Sequence, residues 1–165
     1  MKLIAPDYYR EFRCIADKCR HSCCIGWEID IDPDTRAKYR RVAGAFGKRL
    51  NDCIEDGEVS CFRLGADERC PMLNENGLCD LITELGEDML CQICADHPRY
   101  RSFFTGRTEI GLGMCCEEAA RIILTRNTPV QLVTLEDDGV DEALSDDEAG
   151  LLALREELTA LLQDN

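Results

Sequence analysis

The chain has 165 residues, of which 45% are hydrophobic and 32% charged, the balance of one globular domain with an appendage and not of a disordered segment. No stretch approaches the roughly 18 apolar residues of a membrane span, and the opening MKLIAPDYYREF lacks the apolar core of a signal peptide, so no membrane partner and a cytoplasmic location are expected. The formal net charge of −14 has the wrong sign for binding phosphate backbones, which argues against nucleic acid as a partner. That charge is uneven. Residues 127–165 hold eleven Asp and Glu against Arg155 alone, a net of −10, whereas residues 1–126 hold 22 acids and 18 bases, a net of −4. The start at Met1 and the helical tail are those expected of an intact, untagged chain.

In chain order, residues 14–27 form a cysteine-rich loop. Trp27-Glu28-Ile29-Asp30-Ile31 alternates with period two and predicts a short strand. Asp32 suits a helix cap and Pro33 the first helical position, which predicts a helix to about Phe46, broken at Gly47. A short helix over 48–56 and a strand over 59–64 follow. Asn74-Glu75-Asn76-Gly77 is a turn that brings Cys70 and Cys79 back toward each other. Helices are expected over 78–84 and 87–95, separated at Gly86. Next come a strand over 109–112 and a helix over 116–126, with Ala119, Ile122 and Ile123 on one side. Val130 to Leu135 alternates like a strand, and 136–147 is an acidic linker that reads most simply as solvated surface. Ser145-x-x-Glu148 is a capping-box signature. The helix behind it carries Leu151, Leu154, Leu158, Leu161 and Leu162, a stripe expected to dock on the protein's own core rather than on a partner.

Twelve cysteines in a chain read as cytoplasmic point to metal binding or catalysis, because thiols there stay reduced. Cys14, Cys19, Cys23 and Cys24 crowd into CIADKCRHSCC. Cys53, Cys61, Cys70 and Cys79 follow, Cys91 and Cys94 form a C-x-x-C pair, and Cys115 and Cys116 are adjacent. Some free cysteines serve as small buried hydrophobes, an account that fits the 14–24 cluster poorly. Neighbouring side chains diverge, so Cys23 and Cys24 serve two sites, or one site and a packing role, more easily than one ion. Thiolate sites suit zinc and iron–sulfur clusters alike. With one C-x-x-C and two His in the chain, the usual zinc pattern of paired knuckles is missing. The wide spread of cysteines fits a larger cluster better; zinc, and no metal at all, stay open.

Other side chains have two readings each. His97, three residues after Cys94, and His21, inside the first cysteine loop, are candidate ligands; a hydrogen bond or a surface place suits His97 better. Trp27 is a shield over a metal site or ordinary core. Arg99 and Arg101 hold an anion or make plain salt bridges. Glu117 and Glu118 are an acid/base pair or the acids favoured in a first helical turn.

Four stretches carry a family resemblance: FRCIADKCRHSCCIGWEIDID at 12–32, CPMLNENGLCDLITELGEDML at 70–90, CADHPRY at 94–100 and CCEEAARIIL at 115–124. In that order they resemble the cysteine-rich amino-terminal region of the flagellin lysine N-methylase family and, more loosely, the wider group of zinc- or iron-chelating cysteine-rich domains. The resemblance spans about residues 8–125. It implies that Cys14, Cys19, Cys23, Cys24, Cys70, Cys79, Cys94 and Cys116 are the metal-binding cysteines, with Cys115 an alternative to Cys116. It leaves Cys53, Cys61 and Cys91 as extras. It implies a 4Fe–4S cluster, with Zn2+ the alternative, and S-adenosylmethionine-dependent methylation of lysine side chains on a flagellin-like protein substrate. Glu117 stands where the family has a proline, and the chain is shorter than methylase-type members. The C-x-x-x-C-x-x-C spacing of radical S-adenosylmethionine enzymes is absent, since Cys24 follows Cys23 at once.

These readings predict a mainly α, metal-stapled, cysteine-rich fold with a few short strands. Residues 1–127 form the metal-binding domain, 128–147 a strand and acidic linker, and 148–165 an amphipathic helix. The expected function is that of a 4Fe–4S protein of the lysine-methylase type. The alternatives are a zinc-binding interaction module without enzymatic activity and a metal-handling or redox protein.

Overall fold

The computed structural model describes residues 1–140 and 142–163. In chain order its strands are β1 (Lys2–Pro6), β2 (Asp30–Ile31), β3 (Ile54–Glu55), β4 (Ser60–Phe62), β5 (Arg99–Phe104), β6 (Arg107–Leu112) and β7 (Leu132–Asp137). Its helices are α1 (Pro33–Tyr39), α2 (Gly44–Asp52), α3 (Asp80–Leu85), α4 (Gln92–Asp96), α5 (Glu117–Leu124) and α6 (Asp146–Gln163). The chain forms two units. A sheet unit takes Met1–Arg13, Pro98–Met114 and the chain from Glu118 onward; a cysteine unit takes Cys14–His97 and Cys115–Glu117. All twelve cysteines lie in the second. Among the described residues, no helix is long and apolar enough to cross a membrane.

The sheet unit corrects the mainly α expectation. Its four strands run in the order β5-β6-β1-β7, and a second sheet, β2-β4-β3, lies in the cysteine unit, so the fold is a mixture of helices and sheets. β1 pairs parallel with β6 and antiparallel with β7, with a register shift between Leu3 and Ile4. β5 and β6 form an antiparallel hairpin, turned at Gly106 with φ +69°, a conformation that favours glycine. These strands escape the sequence for physical reasons. β5, RYRSFF, is an edge strand with arginines along it and with Tyr100 and Phe103 exposed, so it lacks the alternation of a half-buried strand. β3 has two residues, too few for a period to register, whereas β2 forms at the end of the strand predicted over 27–31.

α6 begins at the capping box that the sequence predicts. The Ser145 backbone N–H donates to the Glu148 carboxylate at 2.9 Å, and the Glu148 N–H donates to Ser145 Oγ at 3.3 Å. The Thr105 N–H adds a third bond, to the same carboxylate, at 2.9 Å. These donors favour the charged form and hold Glu148 down at about 2, from an ordinary 4.5. Because the folded value is depressed, the contribution is complete above the ordinary value and is lost as pH falls from about 4.5 toward about 2. Helical ellipticity of α6 is expected to decline across that window, and Glu148→Gln to flatten the decline. Beyond its cap, α6 buries Leu152, and Arg155 makes a bidentate pair with Glu109 of β6 at 2.5 and 2.8 Å. The predicted leucine stripe does not dock on the core: Leu151, Leu154, Leu158, Leu161 and Leu162 are all exposed.

In the cysteine unit, Asp32 caps α1 by accepting from the Thr35 N–H at 2.9 Å, with Pro33 next in line. The helix stops at Tyr39, well short of Phe46. Asn51 explains the stop, since its side-chain amide donates to the Tyr39 carbonyl at 2.9 Å and to the Gly47 carbonyl at 2.8 Å, capping α1 from α2. Arg36, buried, holds Asn51 Oδ1 at 2.5 Å and grips Asp56 through two bonds of 2.8 and 2.9 Å. Gly47, expected to break a helix, lies buried inside α2.

The core here is apolar: Ile29, Ile31, Tyr39, Leu50, Ile54, Phe62, Met72 and Leu81 pack together with Cys70 and Cys91. This corrects the metal-stapled expectation. Burying side chains of that size stabilises by roughly 1.5–3 kcal/mol each relative to exposure, so these loops have a hydrophobic framework of their own. Among the described residues, no three His, Cys, Asp or Glu side chains form a group able to hold a metal ion.

Candidate functional site

Three chain segments bring cysteines to one side of this core. The first loop is sewn to the segment at 69–70, because the Cys70 N–H donates to the Cys24 carbonyl at 2.8 Å and Ile25 bridges Arg69. The predicted turn forms next. Asn74 Oδ1 accepts from the N–H groups of Asn76 and Leu78 at 2.9 and 3.0 Å, Gly77 has φ +75°, and Leu73 bridges Cys79. Cys79 thus returns beside Cys70. The third segment is Cys91 to Cys94 at the start of α4, tied to the head of α1 by the Gln92 N–H donating to Asp32 at 2.9 Å. Cys70 and Cys91 are buried, and Cys24, Cys53, Cys79 and Cys94 pack against the same core.

The thiols of this group feel one another. Cys23 donates a hydrogen bond to Cys24, which pushes Cys23 up and Cys24 down. Cys94 donates to Cys91 with the same result, Cys94 raised and Cys91 lowered. Burial pushes Cys70 up to about 11, with Cys79 and Cys91 adding repulsion, and burial also raises Cys79. Cys23, Cys70, Cys79 and Cys94 thus resist ionisation, whereas the hydrogen bonds from their neighbours favour the thiolate at Cys24 and Cys91.

A second group gathers around Cys19. The Glu117 carboxylate accepts from the backbone N–H groups of Arg20 and His21 at 2.7 and 3.1 Å, clasping the Cys115–Glu117 segment to the first loop. Burial pushes Cys19 up to about 11, with repulsion from Cys116, Glu117, Cys14 and Cys23 adding to it. Of the adjacent pair, Cys116 is half-buried and is the thiol that Cys19 senses, while Cys115 is exposed. The eight cysteines taken from the resemblance therefore fall as Cys24, Cys70, Cys79 and Cys94 against the core, Cys14, Cys19 and Cys116 at the clasp, and Cys23 between them. Cys61 stands apart on β4; burial and the carboxylates of Glu28, Glu55 and Asp30 raise it, and no thiol contributes.

Two residues take parts that the sequence underweights. Cys91, counted an extra, is fully buried and hydrogen-bonded to Cys94; its C-x-x-C spacing was the available signal. Tyr39, 0% exposed, donates to the Met89 carbonyl at 2.7 Å, and burial raises it, followed by repulsion from Cys91, Cys94 and Cys79. Tyr39→Phe is expected to cost about 1 kcal/mol, the worth of one net hydrogen bond, read as a lower midpoint in urea under reductant.

His97 leans on Trp27, ring centroids 5.9 Å apart, and Trp27 Nε1 donates to the Cys23 carbonyl at 2.6 Å. Burial lowers His97, and its Nε2 is enclosed without a hydrogen-bond partner in the structure. Glu117 serves as the clasp, and Glu118 is bound to Arg121 at 2.6 and 2.7 Å. A cleft of about 500 Å³ opens on the cysteine unit beside β2, α1 and α4, walled by Val59 and Ile93 and edged by Asp30, Arg40, Glu58 and Gln92.

Comparison with known proteins adds the following. The chain is 27% identical over 132 residues to proteins named Lysine-N-methylase from Salmonella typhimurium and Salmonella choleraesuis, covering 72% of this chain and 31% of theirs. It is 27% identical, also over 132 residues, to the Flagellar biosynthetic protein FliU of Salmonella muenchen, covering 75% of that protein. The chain is thus a distant relative of lysine N-methylase-like proteins. It spans about a third of the length of the two methylases it matches. No family model matches it, and no solved structure does.

Proposed function

We propose that this chain is a thiol-ligated iron–sulfur protein that acts in lysine N-methylation of a flagellin-like protein substrate, with S-adenosylmethionine as methyl source. The observation that carries the metal half is the gathering of Cys24, Cys70, Cys79, Cys91 and Cys94 from three segments onto one core. The donor chemistry fits, since iron–sulfur clusters are held by cysteine thiolates. The spread of these cysteines over three segments, with one C-x-x-C and two His in the chain, suits a cluster better than the paired knuckles of a zinc site. Cys24, Cys70, Cys79 and Cys94 are the residues that would hold it, with Cys91 and Cys23 adjoining. When bound, a cluster supplies a site for electron transfer or for binding an electron-rich group. The protein's own part is to hold the thiols on a packed framework, with Trp27 and His97 beside the first loop.

The methylation half rests on the distant relationship to proteins named Lysine-N-methylase and FliU. Its test is direct. Protein purified without oxygen is mixed with S-adenosylmethionine carrying a labelled methyl group and with flagellin, whose lysines are the methyl acceptors. The expected result is labelled methyl-lysine in flagellin. Absence both of S-adenosylmethionine binding by calorimetry and of labelled lysine would contradict the enzymatic reading while leaving the metal reading to its own measurement.

A further inference from the structure

α6 leaves an apolar face open. Leu151, Leu154, Leu158, Leu161 and Leu162 are 58%, 53%, 51%, 67% and 79% exposed. Their spacing of three, four and three residues from Leu151 to Leu161 is the a/d pattern of a helix that packs against another helix. The middle of the row lies roughly a quarter turn from Leu152 and Arg155, the side by which α6 meets its sheet. Even that side is loosely filled, for a groove of about 360 Å³ lies between Glu156 and Thr159 of α6 and Ile4, Ile110 and Leu132 of the sheet. A continuous exposed leucine row is uncommon on a surface with no partner.

The charges around the row define its occupant. Asp147, in line with the row, Glu157 beside it and Asp146 are exposed. The one base on the helix, Arg155, is spent on the bidentate pair with Glu109. A second copy of the chain would set acids against acids, which opposes association. A helix with leucines on one side and lysines or arginines beside them would satisfy both the apolar row and the acids along it.

We propose that the open face of α6 is a docking surface for a basic amphipathic helix of a partner protein. It is independent of the metal and of methylation. The test uses the full chain and a fluorescently labelled synthetic helix with leucines at a and d positions and lysines flanking them. A peptide of identical composition with the leucines out of register is the control for charge alone. Leu154→Asn/Leu158→Asn changes no charge and removes exposed apolar groups, at a small cost in helix propensity at each site, so ellipticity is expected to fall slightly with the helix retained, and circular dichroism of the variant checks this. The in-register peptide is expected to bind at least about tenfold more tightly than the control, and the double variant to bind it about tenfold more weakly. Rising salt weakens binding in each case. Equal binding of the two peptides, equal binding by the variant, or a wild-type dimer in sedimentation that Leu154→Asn/Leu158→Asn dissociates would each overturn the proposal.

Discussion

Gly47→Ala is expected to destabilise the cysteine unit by about 2 kcal/mol, against the usual preference of helices for alanine. In a helix interior, alanine is favoured over glycine by about 1 kcal/mol. At Gly47, however, a Cβ would come to 2.0 Å from the Val42 carbonyl oxygen and 2.5 Å from its carbon. These are backbone atoms of the corner between α1 and α2, so no flexible side-chain end can swing away. Overpacking of this kind costs about 3 kcal/mol at the upper end of its ordinary range, which outweighs the propensity gain. The corner is also held by Asn51, bonded to the carbonyls of both Tyr39 and Gly47, so displacing it strains those bonds. Gly150→Ala in α6 is the matched control. Nothing lies within 4 Å of a Cβ there, so the propensity term acts alone and the variant should gain up to about 1 kcal/mol. Thermal or urea unfolding under reductant reads both, and a Gly47→Ala protein as stable as wild type would contradict the packing described at the corner.

The second large effect concerns the thiols. Cys24→Ser, Cys70→Ser, Cys79→Ser and Cys94→Ser are each expected to remove most of the bound iron, because each withdraws a thiolate from the group on the core. Cys61→Ser should leave iron content near that of wild type. Cys61 shows the reason, since its charged neighbours are the carboxylates of Glu28, Glu55 and Asp30. Cys91→Ser separates two accounts of the C-x-x-C pair. As the acceptor of the Cys94 hydrogen bond at the centre of the group, Cys91 should matter more for iron than its status as an extra in the sequence comparison implies. Iron per chain, measured beside the far-ultraviolet spectrum of each variant, distinguishes lost ligation from lost folding. Equal loss in Cys61→Ser and Cys70→Ser would contradict the grouping.

What the sequence disclosed follows the range of the forces involved. Local signals held: the Asp32-Pro33 start of α1, the Asn74–Gly77 turn and the Ser145–Glu148 box are each written within a few residues, and each forms. Signals set by distant partners failed. β1 exists because β6 and β7 lie beside it, and nothing in Lys2–Pro6 announces a neighbour so far along the chain. α1 ends early because Asn51 reaches back to Tyr39, which no window around residue 40 can reveal. Gly47 looked like a breaker because glycine weakens helices; its place in α2 is a matter of space beside Val42. The leucine row of α6 was visible, but which side would face the sheet depends on Arg155 meeting Glu109. The cysteines were conspicuous, yet their division into a core group and a clasp group rests on the Glu117 bonds to Arg20 and His21, a pairing across most of the chain.

The central claim is that these thiols hold an iron–sulfur cluster, and metal analysis of protein purified without oxygen tests it most directly. Iron, zinc and acid-labile sulfide are measured per chain beside the visible absorption spectrum. The account predicts a brown protein with about four irons and matching sulfide per cluster, lost together in Cys70→Ser. Colourless protein with stoichiometric zinc and no sulfide would contradict it.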